Sequence, residues 1–168
     1  MSIRLSLKMK NALVALHVIA VVAWFGSTMC MLLLSLYAQR AANGEELYYT
    51  LSGMHVIDDT LLKYPALATL ITGILLSIWT HWGLVKYYWI VMKLVMTIGI
   101  ILLGIFFIND WFGYLLETAS RLGMASMDQE LFQGTWQKLN IASIGNLIAL
   151  AAMVVITYYK PFGKIRKK

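Results

Sequence analysis

Four long apolar stretches, divided by polar segments, set the pattern of this 168-residue chain. They run over about residues 11–37, 61–82, 87–107 and 141–159. At a rise of ~1.5 Å per residue, about 20 apolar residues cross a hydrocarbon core, so each stretch predicts a transmembrane helix. The first is longer than a crossing needs and is expected to tilt. The pattern predicts an all-α, polytopic membrane protein. It forms a single domain, residues 1–168, built as an antiparallel four-transmembrane-helix bundle.

The intervening segments carry helix signals of their own. Asn43-Gly44 reads as a break. Ser126, with Gln129 three residues on, reads as a capping box that starts the last helix near Met127. Gly123 is the expected stop of a third helix running on to about Leu122. Helices are thus predicted to extend beyond the outer face of the membrane. Pro65 fits the first turn of the second helix.

Composition narrows the class. Apolar residues make up 60% of the chain, charged residues only 13%, and the mean hydropathy is +0.72. That is about half the charge of an ordinary soluble domain. Charge then orients the chain. Arg4, Lys8 and Lys10 precede the first stretch, Lys86 lies between the second and third, and Lys160, Lys164, Arg166, Lys167 and Lys168 follow the fourth. Those segments hold no acid. Glu45, Glu46, Asp58, Asp59, Asp110, Glu117, Asp128 and Glu130 all lie in the other two. Basic residues mark the cytoplasmic side, so both termini are expected in the cytoplasm of a multi-pass protein of the bacterial inner (cytoplasmic) membrane. The net charge of +6 is therefore a topology signal. No basic groove with interleaved aromatics suggests a nucleic-acid partner. The bilayer is the expected partner, and the basic tail is expected to touch anionic lipid. The first stretch is too long for a signal-peptide core and reads as a retained helix. Cys30 is the only cysteine, so no disulfide forms within the chain.

Residues inside the stretches carry the candidate chemistry. Thr69, Gly73 and Ser77 form a small-residue stripe that lets another helix or a flat ligand approach, and Gly99 and Gly104 read similarly. Asn140, Ser143 and Asn146 share a face that should point inward. Ionisable groups at depth are costly and stand out. His17 and Lys93 each lie about six residues, roughly 9 Å, inside a cytoplasmic end, so antiparallel helices bring them to one level. His17 reads as a metal or haem ligand or as an imidazole bonded to a neighbouring helix. Lys93 reads as a partner for an anionic group such as a propionate, or as a snorkelling cation. His81, between Trp79 and Trp82 in an aromatic belt, is the second candidate metal ligand after His17. His55, Asp58 and Asp59 would share a helical face at the outer end, which leaves a divalent-metal reading open there.

The stretch His17-Val-Ile-Ala-Val-Val-Ala-Trp24-Phe25-Gly26 resembles the first helix of the membrane haem-protein type of protoporphyrinogen oxidase. It also resembles the related copper-resistance D proteins and an uncharacterised branch of small membrane proteins. Pro65-Ala-Leu-Ala-Thr69-Leu-Ile-Thr-Gly73 is similar to their second helix, and Trp89-Ile-Val-Met-Lys93-Leu94 to the opening of their third. The resemblance implies a four-helix bundle binding haem b, with His17 as haem ligand and Lys93 needed for function; Trp24 and Gly73 fall within the matched helices as further cofactor-site candidates. The chain departs from the oxidases at Leu103-Gly104-Ile105-Phe106-Phe107, where they carry a further histidine. It departs again at Leu33-Leu34-Ser35-Leu36-Tyr37, where their first helix ends basic and proline-containing. Both departures tell against porphyrinogen oxidation itself and leave the wider superfamily.

Three functions are compatible with these residues. The leading expectation is a haem-b membrane protein with a redox or electron-transfer role, exchanging electrons with a quinone, a porphyrin or a membrane redox partner. The second is a non-enzymatic transporter or accessory protein for a metal ion or small solute, for which His17, Met29, Cys30 and Met31 offer soft ligands. The third is a structural membrane protein without cofactor. A homo-oligomer is compatible with each.

Overall fold

The computed structural model describes residues 6–80 and 82–165. Those residues form four long helices: α1 (Leu7–Ala38), α2 (Gly44–Trp79), α3 (Tyr88–Asp128) and α4 (Glu130–Tyr159). Each is long and apolar enough to cross a membrane. The described residues contain no strand, only an isolated antiparallel bridge between Tyr87 and Lys164. Along the chain each helix packs on the next, and α4 returns to pack on α1.

Capping explains where the helices begin. Ser6 caps α1 by accepting from the Met9 amide at 3.3 Å. Asn43 caps α2 by accepting from the Glu46 amide, and Glu46 reaches back to the Ala42 amide at 2.8 Å. This reciprocal pair satisfies amides that a helix start leaves open. The predicted capping box at Ser126 does not form. Its hydroxyl donates to the Gly123 carbonyl inside a 3₁₀ turn, Gly123–Asp128, and α4 starts at Glu130 instead of near Met127. The reason is local: a serine hydroxyl two or three residues past a glycine stop bonds backward to the freed carbonyl. Gly123 itself ends the α-helical run at Leu122 as expected, with φ 55°. Its Cα also lies so close to Gly44 that a Cβ there would stand 2.5 Å from it. The two glycines thus let the end of α3 cross the start of α2 backbone to backbone.

Pro65 lies in the first turn of the α-helical run Lys63–Trp79, as expected, but that run continues from a π-helical segment, Asp58–Leu62, instead of opening a separate helix. Proline has no N–H for the carbonyl four residues back, here Leu61. The Ser27 hydroxyl of α1 lies 2.8 Å from that carbonyl and 2.7 Å from its own Ala23 carbonyl, so its one hydrogen is shared between the two. A second π segment, Gly104–Ile108, interrupts α3.

The best-buried packing sits at one end. Leu47, Leu51 and Met54 of α2 meet Phe112 and Leu115 of α3 and Phe132 of α4, all nearly or fully buried. A smaller cluster, Trp24, Ala66, Leu150 and Met153, fills the middle. Between and beyond them, wide apolar faces stay exposed, among them Ile19, Val22, Ile71, Val95, Phe106 and Ile148.

Candidate functional site

Polar side chains pin the helices in a strict antiparallel register. On α1 and α4, Ser35 donates to Asn140 at 2.6 Å, and Asn146 donates to Thr28 at 3.0 Å. Trp136 adds its indole N–H to Ser35 at 2.9 Å. On α3 and α4, Thr97 contacts the Met153 sulfur at 3.4 Å, and Lys93 donates to Thr157 at 2.8 Å. On α1 and α2, Ser27 pairs with Leu61, and His17 Nδ1 lies 2.8 Å from Thr72 Oγ1. Following each register to the same end brings His17, Thr72, Lys93 and Thr157 to one level, one residue from each helix. The polar face expected at Asn140 and Asn146 does point inward, onto α1.

Within this layer His17 is half-buried and its ring is clasped by α2. A Cβ on Gly73 would lie 3.4 Å from His17 Cε1, so Gly73 seats the imidazole edge against the α2 backbone. Thr72 is coupled to the tautomer. Its hydroxyl has one hydrogen, and the Ala68 carbonyl lies 2.6 Å away as an acceptor. When that hydrogen is spent on Ala68, or on the Thr69 carbonyl at 3.2 Å, Thr72 accepts from Nδ1–H of a neutral ring, and it is in that tautomer that Nε2 carries the lone pair. Hydrogen-bonded support of one ring nitrogen that orients the other is how ligating histidines are held.

Lys93 faces the layer from α3. Its ammonium bonds Thr157 and stands 5.1 Å from the centroid of the Trp89 ring, and it lies within electrostatic reach of His17. Trp24, two turns along α1 from His17, is fully buried and its indole nitrogen has no hydrogen-bond partner. Thr69 Oγ1, one turn from Gly73, is buried and unpartnered too. Asn146 Oδ1 is a third buried polar atom without a partner; such atoms are rare, and these three lie along the middle of the helices.

These residues are of the kinds that would hold haem: an imidazole as axial base and, at the same level, the ammonium of Lys93 as a cationic partner for a propionate, now bonded to Thr157. The flat group resting on Gly73 is the imidazole itself. His81 falls outside the described residues. Among the described residues no three His, Cys, Asp or Glu side chains converge as a metal site. At the end of the molecule away from His17, Asp59 instead pairs with Lys63 and lies 3.7 Å from His55, while Asp58 turns inward and is buried. Met31 is buried whereas Met29 and Cys30 are exposed, so the soft ligands of α1 diverge. Sequence reasoning missed Thr72 and Thr157 as partners, because a threonine in an apolar helix usually bonds its own backbone, as both also do here.

No family model, curated protein or solved structure matches the chain.

Proposed function

We propose that this chain is a multi-pass protein of the cytoplasmic membrane, an antiparallel four-helix bundle with both termini in the cytoplasm, that binds haem b through His17 and serves electron transfer. The observation that carries the reading is the Thr72-supported imidazole of His17, with its Nε2 unspent, in the layer that also holds Lys93. Haem would supply the redox chemistry; the chain's residues hold and tune it. Thr72 fixes the ring, Gly73 gives it a flat seat, and Lys93 offers its ammonium to a carboxylate by a charge-assisted bond. Quinone, porphyrin or a membrane redox protein are the electron partners such a site would serve. The test is the haem content of the purified protein, read by its absorption spectrum and by extraction of the pigment. A stoichiometric b-type spectrum supports the reading, and colourless protein from haem-supplemented cells refutes it.

The charge asymmetry of the sequence supports the orientation. Reporter fusions after Ile165 and at Gly123 should then report opposite sides of the membrane. Fusions reporting the same side would overturn the four-crossing topology.

One observation favours a structural reading instead. Lys93 already has a partner in Thr157 and a ring face in Trp89, so the layer is also a set of interhelical pins. On that reading His17 and Lys93 hold helices together and bind nothing. The haem assay separates the two.

A further inference from the structure

Asp58 opens the π turn of α2 and is only 6% exposed, yet no hydrogen bond supports its carboxyl. A buried carboxyl without a donor is costly. The cations near it are engaged elsewhere: Lys63 pairs with Asp59, and His55 faces Asp59 at 3.7 Å. α1 packs on this turn, and its buried positions at that level, Ser27, Thr28 and Met31, carry no charge.

The surroundings are rich in oxygen and poor in hydrogen. Three residues after Asp58, the Leu61 carbonyl has no amide from Pro65 and shares the one hydrogen of Ser27 with the Ala23 carbonyl. Beside Ser27, Thr28 spends its hydrogen on the Trp24 carbonyl and accepts from the amide nitrogen of Asn146 in α4. Asn146 Oδ1 is buried and has no partner. The pairs Ser27–Leu61 and Thr28–Asn146 set these groups at one level, and Asp58 lies one turn away along α2. α3 arrives there at its own π segment: seven residues along each helix from the Thr97–Met153 contact stand Gly104 and Asn146. Both π segments of the described residues thus fall in the layer that holds Asp58 and Asn146. π turns recur at functional sites, and carbonyls released from a helix ladder coordinate cations in membrane bundles.

We propose that this layer binds an alkali-metal cation, with the Asp58 carboxylate, the Leu61 carbonyl and the side-chain oxygen of Asn146 as its ligands. Hard cations take oxygen ligands of these three kinds, and a lone carboxylate balances one positive charge, whereas divalent sites draw on more. With Leu61 turned to the ion, Ser27 gives its hydrogen wholly to Ala23. A proton competes for the same carboxylate. Burial pushes Asp58 up to about 6, with Asp59 adding to the rise and Lys63 and His55, the other charged groups in reach, opposing it. The metal ion therefore finds the carboxylate ionised at pH 8 and protonated near pH 5. The site is independent of haem and of which end of the molecule faces the cytoplasm.

The test uses the full chain, purified in detergent and exchanged into choline chloride, with sodium chloride replacing choline at constant ionic strength. Binding is read by thermal unfolding and by retention of radioactive sodium. At pH 8 sodium should raise the Tm saturably and be retained by wild type; at pH 5 both effects should fade. Asp58→Asn keeps the shape of the side chain and, in choline, should be at least as stable as wild type, so its loss of binding is not a loss of fold. It should lower sodium affinity by roughly tenfold or more, and Asn146→Ala should lower it severalfold at unchanged helical content. D59N/K63Q removes the exposed ion pair without changing net charge and should keep the affinity. Equal Tm in sodium and choline at pH 8, with no sodium retained, would overturn the proposal and leave a proton as the cation that Asp58 holds. Retention that persists in Asp58→Asn, full affinity in Asn146→Ala, or an equal loss in D59N/K63Q would overturn it as well.

Discussion

His17 Nδ1 and Thr72 Oγ1 stand 2.8 Å apart across the contact of α1 with α2, and that pairing couples the tautomer of the ring to the Thr72 hydroxyl. Thr72 serves as acceptor when its own hydrogen is spent on the Ala68 carbonyl. Thr72→Val removes the acceptor while keeping the shape. It should cost about 1 kcal/mol of stability, the usual net worth of one hydrogen bond. It should also broaden the spectrum of bound haem, since the ring loses its fixed orientation; Thr72→Ser should restore both. Unchanged spectrum and stability in Thr72→Val would leave His17 without the support described.

A second prediction concerns Ser35, whose hydroxyl is shared by Trp136 and Asn140. Ser35→Ala orphans a buried indole N–H and an amide oxygen together. The expected loss is about 1–3 kcal/mol, because an unpaired buried group costs more than a hydrogen bond gains. In the Ser35→Ala background, Trp136→Phe should be less damaging than in wild type, since the indole N–H has already lost its partner. Additive losses in chemical or thermal denaturation of the detergent-solubilised protein would show that the three groups do not act together.

The third prediction is a pH dependence at the end of the molecule away from His17. Asp58, just outside the predicted second crossing, is 6% exposed, and burial pushes its carboxyl up to about 6, with Asp59 adding to the rise and Lys63 and His55 opposing it. The folded state therefore holds a proton that the unfolded chain, near 3.8, has already released. Stability from this group falls as pH rises from about 4 to about 6 and stays lower at neutral pH. The difference is worth roughly 3 kcal/mol at most. Asp58→Asn should then raise the Tm at pH 7, with the gain vanishing near pH 4. A gain independent of pH, or a loss at pH 7, would contradict the buried, charge-disfavouring setting of Asp58.

The four long apolar helices were legible because a helix meant for lipid must be apolar all round, and long apolar runs are hard to mistake. The common level of His17 and Lys93 was legible too, since antiparallel helices of fixed rise convert sequence position into depth. Gly123 announced its stop because positive φ favours glycine. Thr72 and Thr157 were not legible as partners: a threonine in a membrane helix usually bonds its own backbone, and nothing local says that it also faces a neighbour. Pro65 was legible as a first-turn residue, because its fixed φ suits a helix start; that the preceding helix runs into this turn through a π segment was not. Ser126 misled because its hydroxyl turns back to the Gly123 carbonyl and the Gln129 amide bonds the Ser126 backbone carbonyl instead, closing a 3₁₀ turn where a capping box was expected.

The account stands on the Nε2 of His17 as the atom that takes the ligand. The direct measurement is the haem occupancy of wild type and His17→Ala, purified in parallel and compared by absorption spectrum, with far-ultraviolet circular dichroism confirming that the helices persist. The account predicts a b-type spectrum in wild type, and in His17→Ala a loss of most of that absorbance at unchanged helical content. Equal occupancy in the two proteins, or no haem in either, would contradict it.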